Sequence, residues 1–134
     1  MSLSRTISTR LPAAVAKEVD AVARAEGRTA SHIVARLVTE GLRMRRFPGV
    51  IFVDGPAGRR AHVAGTGFDV WELVTLVRSY GREIEAVLGD HPRIERRHLE
   101  LARGYAEAFR EEIESVIREN EAAGERYAEA ASPR

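Results

Sequence analysis

The feature that most constrains the fold is a single strand pattern at the N-terminus, followed by two helix patterns and by no neighbouring strand. Apolar and polar residues alternate with a period of two, which predicts a short strand with one buried face. The alternating residues are Thr6, Ile7, Ser8, Thr9, Arg10 and Leu11. A lone strand leaves the N–H and C=O groups of its backbone without partners. The segment therefore needs a second strand from outside its own domain.

Two amphipathic helices are predicted after the strand. Pro12 suits the first position of a helix, because the N–H that it lacks would have no intrahelical acceptor there. This helix ends at Glu26, and Gly27 follows as its C-cap. Thr29 is a favourable N-cap for a second helix, which runs to about Arg46. The apolar positions recur at helical spacing: Val15, Val19, Val22, Ala23, Ile33, Val34, Leu37, Val38 and Leu42.

These 46 residues are too few to fold alone, because about ten aliphatic side chains cannot form a core of independent stability. A symmetric homodimer provides both the missing strand and the missing core, since two copies of the strand can pair antiparallel across a two-fold axis. The polar residues Thr6, Ser8 and Arg10 would then lie on the outer face of a two-stranded ribbon. A ribbon of this size fits the major groove of DNA.

The N-terminal segment resembles the ribbon-helix-helix (CopG/Arc-like) family. The resemblance rests on the strand end RTISTRLP at 5–12 and on the inter-helix turn EGRTAS at 26–31. It implies a DNA face of base-contacting and phosphate-binding residues. An edge strand of a different fold is the alternative interpretation. Base contacts are expected from Thr6, Ser8 and Arg10, and phosphate contacts from Arg5, Arg28 and the helix N-terminus at Thr29, Ala30 and Ser31.

The charge of the chain is unevenly distributed. The formal net charge is +1, but residues 1–46 hold nine basic and four acidic side chains, a net charge of +5. The remaining residues therefore carry a net charge of −4. A basic head on an acidic body indicates a polyanionic partner for the N-terminal segment alone.

A second domain is predicted after Phe47-Pro48-Gly49, which ends the second helix. Two strands at 50–53 and 60–64 flank turn-forming residues at 54–58. Asp69 is an N-cap candidate for the first of three helical stretches, which together suggest a helix-turn-helix-like bundle. The stretches are Val70–Tyr80, Glu83 to about Gly89, and Glu95 onward.

Residues 47–106 resemble the DUF433 family of small antitoxin-type proteins. The most specific element is GTGFDVWEL at 65–73, with further matches at Pro48, Val50, Ile51, Arg60, Gly81, Ile84, Leu101, Ala102, Tyr105 and Ala106. The family is widely found as the antitoxin partner of PIN-like ribonuclease toxins, and the whole chain resembles VapB45-type antitoxins. The resemblance implies that an arginine of this chain enters the carboxylate-lined metal site of such a toxin, without selecting which one.

An acidic amphipathic helix is predicted over residues 107–134. Its apolar positions continue a heptad stripe that begins at Leu99, and the segment holds eight acidic and four basic residues. Such a helix suits a groove in a partner protein, or it packs on its own domain or its dimer mate; both interpretations stay open. The residues predicted to contact a toxin are Phe109, Arg110, Ile113, Val116, Ile117 and Arg118.

No catalytic or metal-binding constellation is predicted. The chain has no cysteine, which excludes disulfides and thiolate sites, and its four histidines have no carboxylate partner at ligand spacing. We therefore expect no enzymatic activity and no cofactor. No apolar run approaches the roughly 20 residues of a membrane span, so a cytoplasmic protein without a membrane partner is expected. Arg96, Arg97 and Arg103 form either a second DNA contact or a solvated surface.

The sequence thus predicts a mainly α-helical chain of three parts. These are a ribbon-helix-helix domain for DNA binding and dimerisation at 1–46, a hairpin with a three-helix bundle at 47–106, and a C-terminal helix at 107–134. The leading hypothesis is a homodimeric antitoxin that binds operator DNA in the major groove, represses its own operon and neutralises a PIN-like ribonuclease toxin. The alternatives are a stand-alone ribbon-helix-helix regulator without a toxin and an adaptor whose strand serves only dimerisation. Assembly beyond a dimer is left open.

Overall fold

The computed structural model describes residues 4–55 and 58–131, with the backbone alone at 125, 127–129 and 131. The chain is mainly helical, with a small three-stranded antiparallel sheet. It divides into two compact units, Met1–Leu42 and Arg43–Arg134. The boundary falls inside helix α2, so the last turn of that helix belongs to the second unit.

The first unit contains helix α1 (Ala13–Glu26) and most of helix α2 (Ala30–Arg46). The predicted C-cap is confirmed, because Gly27 has a left-handed backbone with φ of 63° and its N–H reaches carbonyls of the last turn of α1. The predicted N-cap is also confirmed, since the Thr29 hydroxyl accepts the N–H of His32 at 3.1 Å.

The core of the first unit is small. Within the described residues, its buried apolar side chains are Val19, Ala23 and Ile33, with Val34 packed against them. Residues 4–12 form neither helix nor strand in the single chain. A strand there requires hydrogen bonds to another strand, and the described part of this chain offers none, so the ribbon stays a prediction.

The second unit contains strands β1 (Val50–Gly55), β2 (Gly58–Val63) and β3 (Phe68–Asp69), in the order β1-β2-β3. Val50 pairs with Val63, and Val63 pairs with Phe68 on its other side. The two predicted strands are confirmed, whereas the two-residue β3 was not predicted. Residues 56 and 57, at the centre of the predicted turn, lie outside the described residues.

Four helices follow the sheet: α3 (Val70–Ser79), α4 (Ile84–Asp90), α5 (Arg96–Ala108) and α6 (Arg110–Ala131). Asp69 caps α3 as predicted, within a capping box completed by the Glu72 side chain. The predicted stretch from Glu95 onward and the predicted C-terminal helix at 107–134 are two separate helices, because the chain leaves helical geometry at Phe109, with φ of −126° and ψ of 53°.

One hydrophobic core holds the second unit together. It joins the sheet to the helices and includes Ile113 and Ile117 of α6, so the predicted segments 47–106 and 107–134 share a core. Gly49 borders it with φ of 104°, and a Cβ there would lie 2.8 Å from Cδ2 of Leu101. No helix among the described residues is both long and apolar enough to cross a bilayer.

Candidate nucleic-acid interface

The N-terminal segment, residues 4–12, is exposed along its whole length. Thr6, Ser8 and Arg10 are accessible to a ligand, and Arg5 is accessible as well. Ile7 is 75% exposed although it is apolar and belongs to the predicted inner face of the strand. The segment therefore presents its polar residues and leaves its apolar residues uncovered.

The exposed apolar surface continues onto both helices of the first unit. Within the described residues, seven of the eight exposed large apolar side chains lie in this unit. We call these seven the dimer face, after the homodimer that the sequence predicts: Ile7, Leu11, Val15, Val22, Leu37, Val38 and Leu42. Solvent exposure of this many apolar side chains on so small a unit indicates a surface that another molecule covers.

The N-terminus of α2 has the chemistry of an anion site. The Thr29 carbonyl accepts the N–H of Ile33 at 3.2 Å, so the helix begins immediately after Thr29. The N–H groups of Ala30 and Ser31 belong to the first turn, where a helix has no intrahelical acceptors. Arg28 is exposed one residue before the cap. Free N–H groups, the positive end of the helix dipole and an adjacent guanidinium together suit a phosphate.

A charged pair connects the two helices behind this turn. Arg36 of α2 donates from both terminal nitrogens to the carboxylate oxygens of Glu26 of α1, at 2.8 and 2.9 Å. A two-point contact between planar groups restrains orientation as well as distance. The pair therefore helps to hold the turn that presents Arg28 and Thr29.

The structure brings the predicted DNA-contact residues into two groups. Arg5, Thr6, Ser8 and Arg10 follow one another in the extended segment, whereas Arg28 to Ser31 form the inter-helix turn. No hydrogen bond or ion pair among the described residues joins the two groups. All eight residues are exposed.

The arginines of α5 are already neutralised within the second unit. Each one pairs with a glutamate, and the hydrogen bond from Arg97 lowers the pKa of Glu95. A cation paired within its own chain contributes less attraction to a phosphate, which favours the solvated-surface interpretation of this row. The pairs are Arg96–Glu85, Arg97–Glu95 and Arg103–Glu107.

The predicted toxin-contact residues fall into two classes. Ile113, Val116 and Ile117 are buried, at 3%, 8% and 5% exposure, and therefore cannot contact a partner without a rearrangement of α6. Arg110 and Arg118 are exposed on the same helix. The first half of α6 thus packs on its own domain, which is the second of the two interpretations that the stripe left open.

Phe109, the sixth predicted toxin-contact residue, is half-buried at the break between α5 and α6. The Arg43 guanidinium lies 3.9 Å from the centre of its ring. Arg43 also donates to the Tyr105 hydroxyl at 2.8 Å and to Glu112 at 2.6 Å, while Tyr105 donates to Glu112 at 2.7 Å. Burial raises the pKa of Tyr105, and the Glu112 contact raises it further, so the phenol remains a donor.

This cluster was not predicted, and the sequence carries no local signal for it. Arg43 lies 62 positions from Tyr105 and 69 from Glu112.

Two further arginines from other elements also reach α6. Arg60 of β2 lies 3.6 Å from Glu119, and Arg78 of α3 binds Glu114 through both terminal nitrogens. Helix α6 is therefore attached to its unit by charge as well as by its apolar face.

No group of three or more metal-ligating side chains occurs among the described residues. Comparison with known protein families, with characterised proteins and with solved structures found no match for this chain.

Proposed function

We propose that the chain is a homodimeric DNA-binding protein of the ribbon-helix-helix type and that it acts as an autorepressing antitoxin. The observation that carries the proposal of a homodimeric DNA-binding protein is the dimer face. Its side chains are 37 to 75% exposed, and apolar surface of this kind gains free energy when a second copy covers it. The same partner would supply the strand that residues 6–11 lack.

Pairing of two N-terminal segments would place Thr6, Ser8 and Arg10 twice on one ribbon face. Arginine donates two parallel hydrogen bonds to O6 and N7 of guanine, and hydroxyl side chains contact either partner of a base pair. The N-terminus of α2, with Arg28, would bind the phosphate backbone on each side. Recognition of bases and of phosphates would thus come from separate groups of residues.

The charge distribution supports the same proposal. Residues 1–46 carry a net charge of +5, from nine basic and four acidic side chains. Neutralisation of DNA phosphates releases counterions, so the affinity should fall as a power of the salt concentration.

The decisive variant for DNA binding is Arg10→Ala. Fluorescence anisotropy would compare the full chain on a duplex from upstream of its own gene with a duplex of scrambled sequence. We expect the ratio of the two affinities to fall by about tenfold or more, because a bidentate contact discriminates bases by about 1–3 kcal/mol. The affinity for the scrambled duplex should change much less.

Arg24→Ala is the matched control, since Arg24 is an exposed arginine of α1 outside the predicted DNA face. It removes the same charge and should leave the affinity ratio unchanged. An unchanged ratio in Arg10→Ala, or an equal loss in both variants, would remove Arg10 from base recognition. Wild-type protein that does not distinguish the two duplexes would refute sequence-specific DNA binding. That result would favour the alternative in which the chain is an adaptor whose strand serves only dimerisation.

The antitoxin part of the proposal rests on the DUF433 and VapB45-type resemblance and on the distal part of α6. This helix continues for 14 residues beyond Ile117, to Ala131, and none of the described side chains of that stretch is buried. Exposed helix of this kind suits a groove in a partner. Because Ile113, Val116 and Ile117 are buried in the chain's own core, the toxin contact is assigned to the exposed residues of α6.

Co-expression with the adjacent reading frame separates the antitoxin from the stand-alone regulator. Co-purification of a small nuclease and rescue of growth are expected for the antitoxin. A chain truncated after Ile117 keeps the buried residues of α6 and removes the distal part, so it should lose rescue while retaining DNA binding. Rescue by the truncated chain would place the inhibitory contact elsewhere, and specific DNA binding without any co-purifying partner would favour the stand-alone regulator.

A further inference from the structure

An open cavity of about 420 Å³ lies beside the first turns of α5 in the second unit. Its volume and its mixture of apolar walls with a few polar groups resemble those of small-molecule sites. None of its lining residues belongs to the DNA face or to the exposed part of α6. Its principal wall residues are Phe47, Pro48, Val63, Leu101, Arg97 and His98.

His98 supplies the polar group that points to a ligand. The side chain is 95% buried, since its exposure is 5%. Its Nδ1 accepts the backbone N–H of Glu95 at 2.9 Å, so the proton of the neutral ring resides on Nε2. No acceptor for the Nε2–H group lies within hydrogen-bonding distance among the described residues, and Nε2 is not sealed inside the protein. The ring lines the cavity, so an unpaired donor is available at its wall.

The His98 side chain favours an oxygen acceptor over a cation. The Glu95 carboxylate caps the N-terminus of α5 and pairs with Arg97, so neither the helix end nor this arginine adds uncompensated positive charge. The selecting group is the neutral Nε2–H of His98, which as a donor pairs with an oxygen acceptor and not with a cation. An oxygen acceptor of a ligand in the cavity would pair this N–H group, which has no acceptor among the described residues.

The apolar wall favours a flat molecule. The lining residue Gly104 has no side chain, which leaves wall space beside the ring of Phe47. We propose that the cavity binds a small aromatic molecule that carries a carboxylate or amide oxygen, which accepts the Nε2–H of His98. The site is independent of DNA and toxin binding.

The test is a titration of the full-length, ¹⁵N-labelled protein with benzoate, benzamide and benzylamine, followed by NMR. We expect benzoate or benzamide to shift the His98 Nε2 resonance and the amides of Val63, Leu101 and Gly104, with a Kd on the order of 1 mM for so small a ligand. Benzylamine keeps the ring but lacks the acceptor, so it should bind about tenfold more weakly. Equal binding of benzylamine, or no shift at the cavity with any of the three, would refute the proposal.

Gly104→Leu places a side chain into the cavity and leaves the residue at position 98 unchanged. A Cβ at Gly104 would lie 3.7 Å from Cε1 of Phe47, an ordinary contact, so the helix can accept a side chain that extends into the open space. Gly124→Leu is the matched control, because nothing lies within 4 Å of a Cβ at that helical position. Leucine has the higher helix propensity, so neither change should weaken its helix.

Gly104→Leu should lose most of the shifts that benzoate or benzamide causes, and Gly124→Leu should keep them. Amide resonances away from the cavity report whether Gly104→Leu retains the fold, and Gly104→Ala, which adds a single carbon, replaces it if the fold is lost. Binding that survives in the folded cavity variant would place the ligand elsewhere and refute the site.

Discussion

Substitution of one side chain of the dimer face should weaken dimerisation by an amount that follows from its exposure. Leu37 is 44% exposed in the single chain, and complete burial of a leucine contributes about 2.5 kcal/mol. The second copy can therefore contribute about 1.1 kcal/mol at this position by burying the rest. Two-fold symmetry doubles the value to about 2.2 kcal/mol, which corresponds to about a 40-fold rise in the dimer dissociation constant for Leu37→Ser.

Sedimentation equilibrium over a range of concentrations measures this dissociation constant directly. Ala21→Ser is the control, because it adds the same hydroxyl to an exposed position of α1 that lies about 100° around the helix from Val22, and it should leave dimerisation unchanged. Circular dichroism at a concentration above both dissociation constants verifies that the helices persist. A wild-type chain that is monomeric at micromolar concentration, or a Leu37→Ser dimer as tight as the wild type, would refute the assignment of this surface to a second copy.

Two further predictions concern the second unit. Tyr105→Phe should lower the free energy of unfolding in urea by about 1 to 2 kcal/mol, because the buried hydroxyl donates to Glu112. Tyr80→Phe, which removes an exposed hydroxyl, is the control and should lower the free energy of unfolding by less. The Arg78 hydrogen bond lowers the pKa of Glu114, so this pair stabilises the fold above the ordinary glutamate pKa and loses its contribution as the pH falls through the lowered value. Arg78→Gln should raise the pKa of Glu114 in an NMR titration of its carboxyl carbon, and an unchanged pKa would contradict the pairing.

Local chemistry was sufficient for the ends of most helices. The left-handed Gly27, the Thr29 hydroxyl and the Asp69 cap each act on backbone groups within about four residues. Such signals depend on adjacent residues alone, and a single sequence displays them completely. The two hairpin strands could also be predicted from the sequence, because β-branched and aromatic residues around a glycine-rich turn favour that geometry.

The break at Phe109 could not be read from the sequence. The heptad stripe runs through it without interruption, since periodicity reports which residues are apolar and not where the backbone bends. The aromatic ring there contacts Tyr105 and Phe47, and the guanidinium of Arg43 lies against it. Phe47 and Arg43 come from distant positions in the chain, so only the folded structure brings them to Phe109.

The eight residues of the predicted DNA face are all exposed, and their contact with DNA stays a prediction. The ribbon also stays a prediction, because a strand pair between two molecules is absent from any single chain. The donor at His98 had no sequence signal, because the burial of this side chain depends on contacts that no local pattern reveals.

Gly49 and Leu101 illustrate a restriction on how this chain can change in evolution. Any side chain at Gly49 would need the unfavourable positive φ and would also collide with Leu101. A smaller residue in place of Leu101 would relieve only the collision. We therefore expect aligned relatives of this chain to keep glycine at this position. Position 101 should instead vary among side chains that still fill the same space.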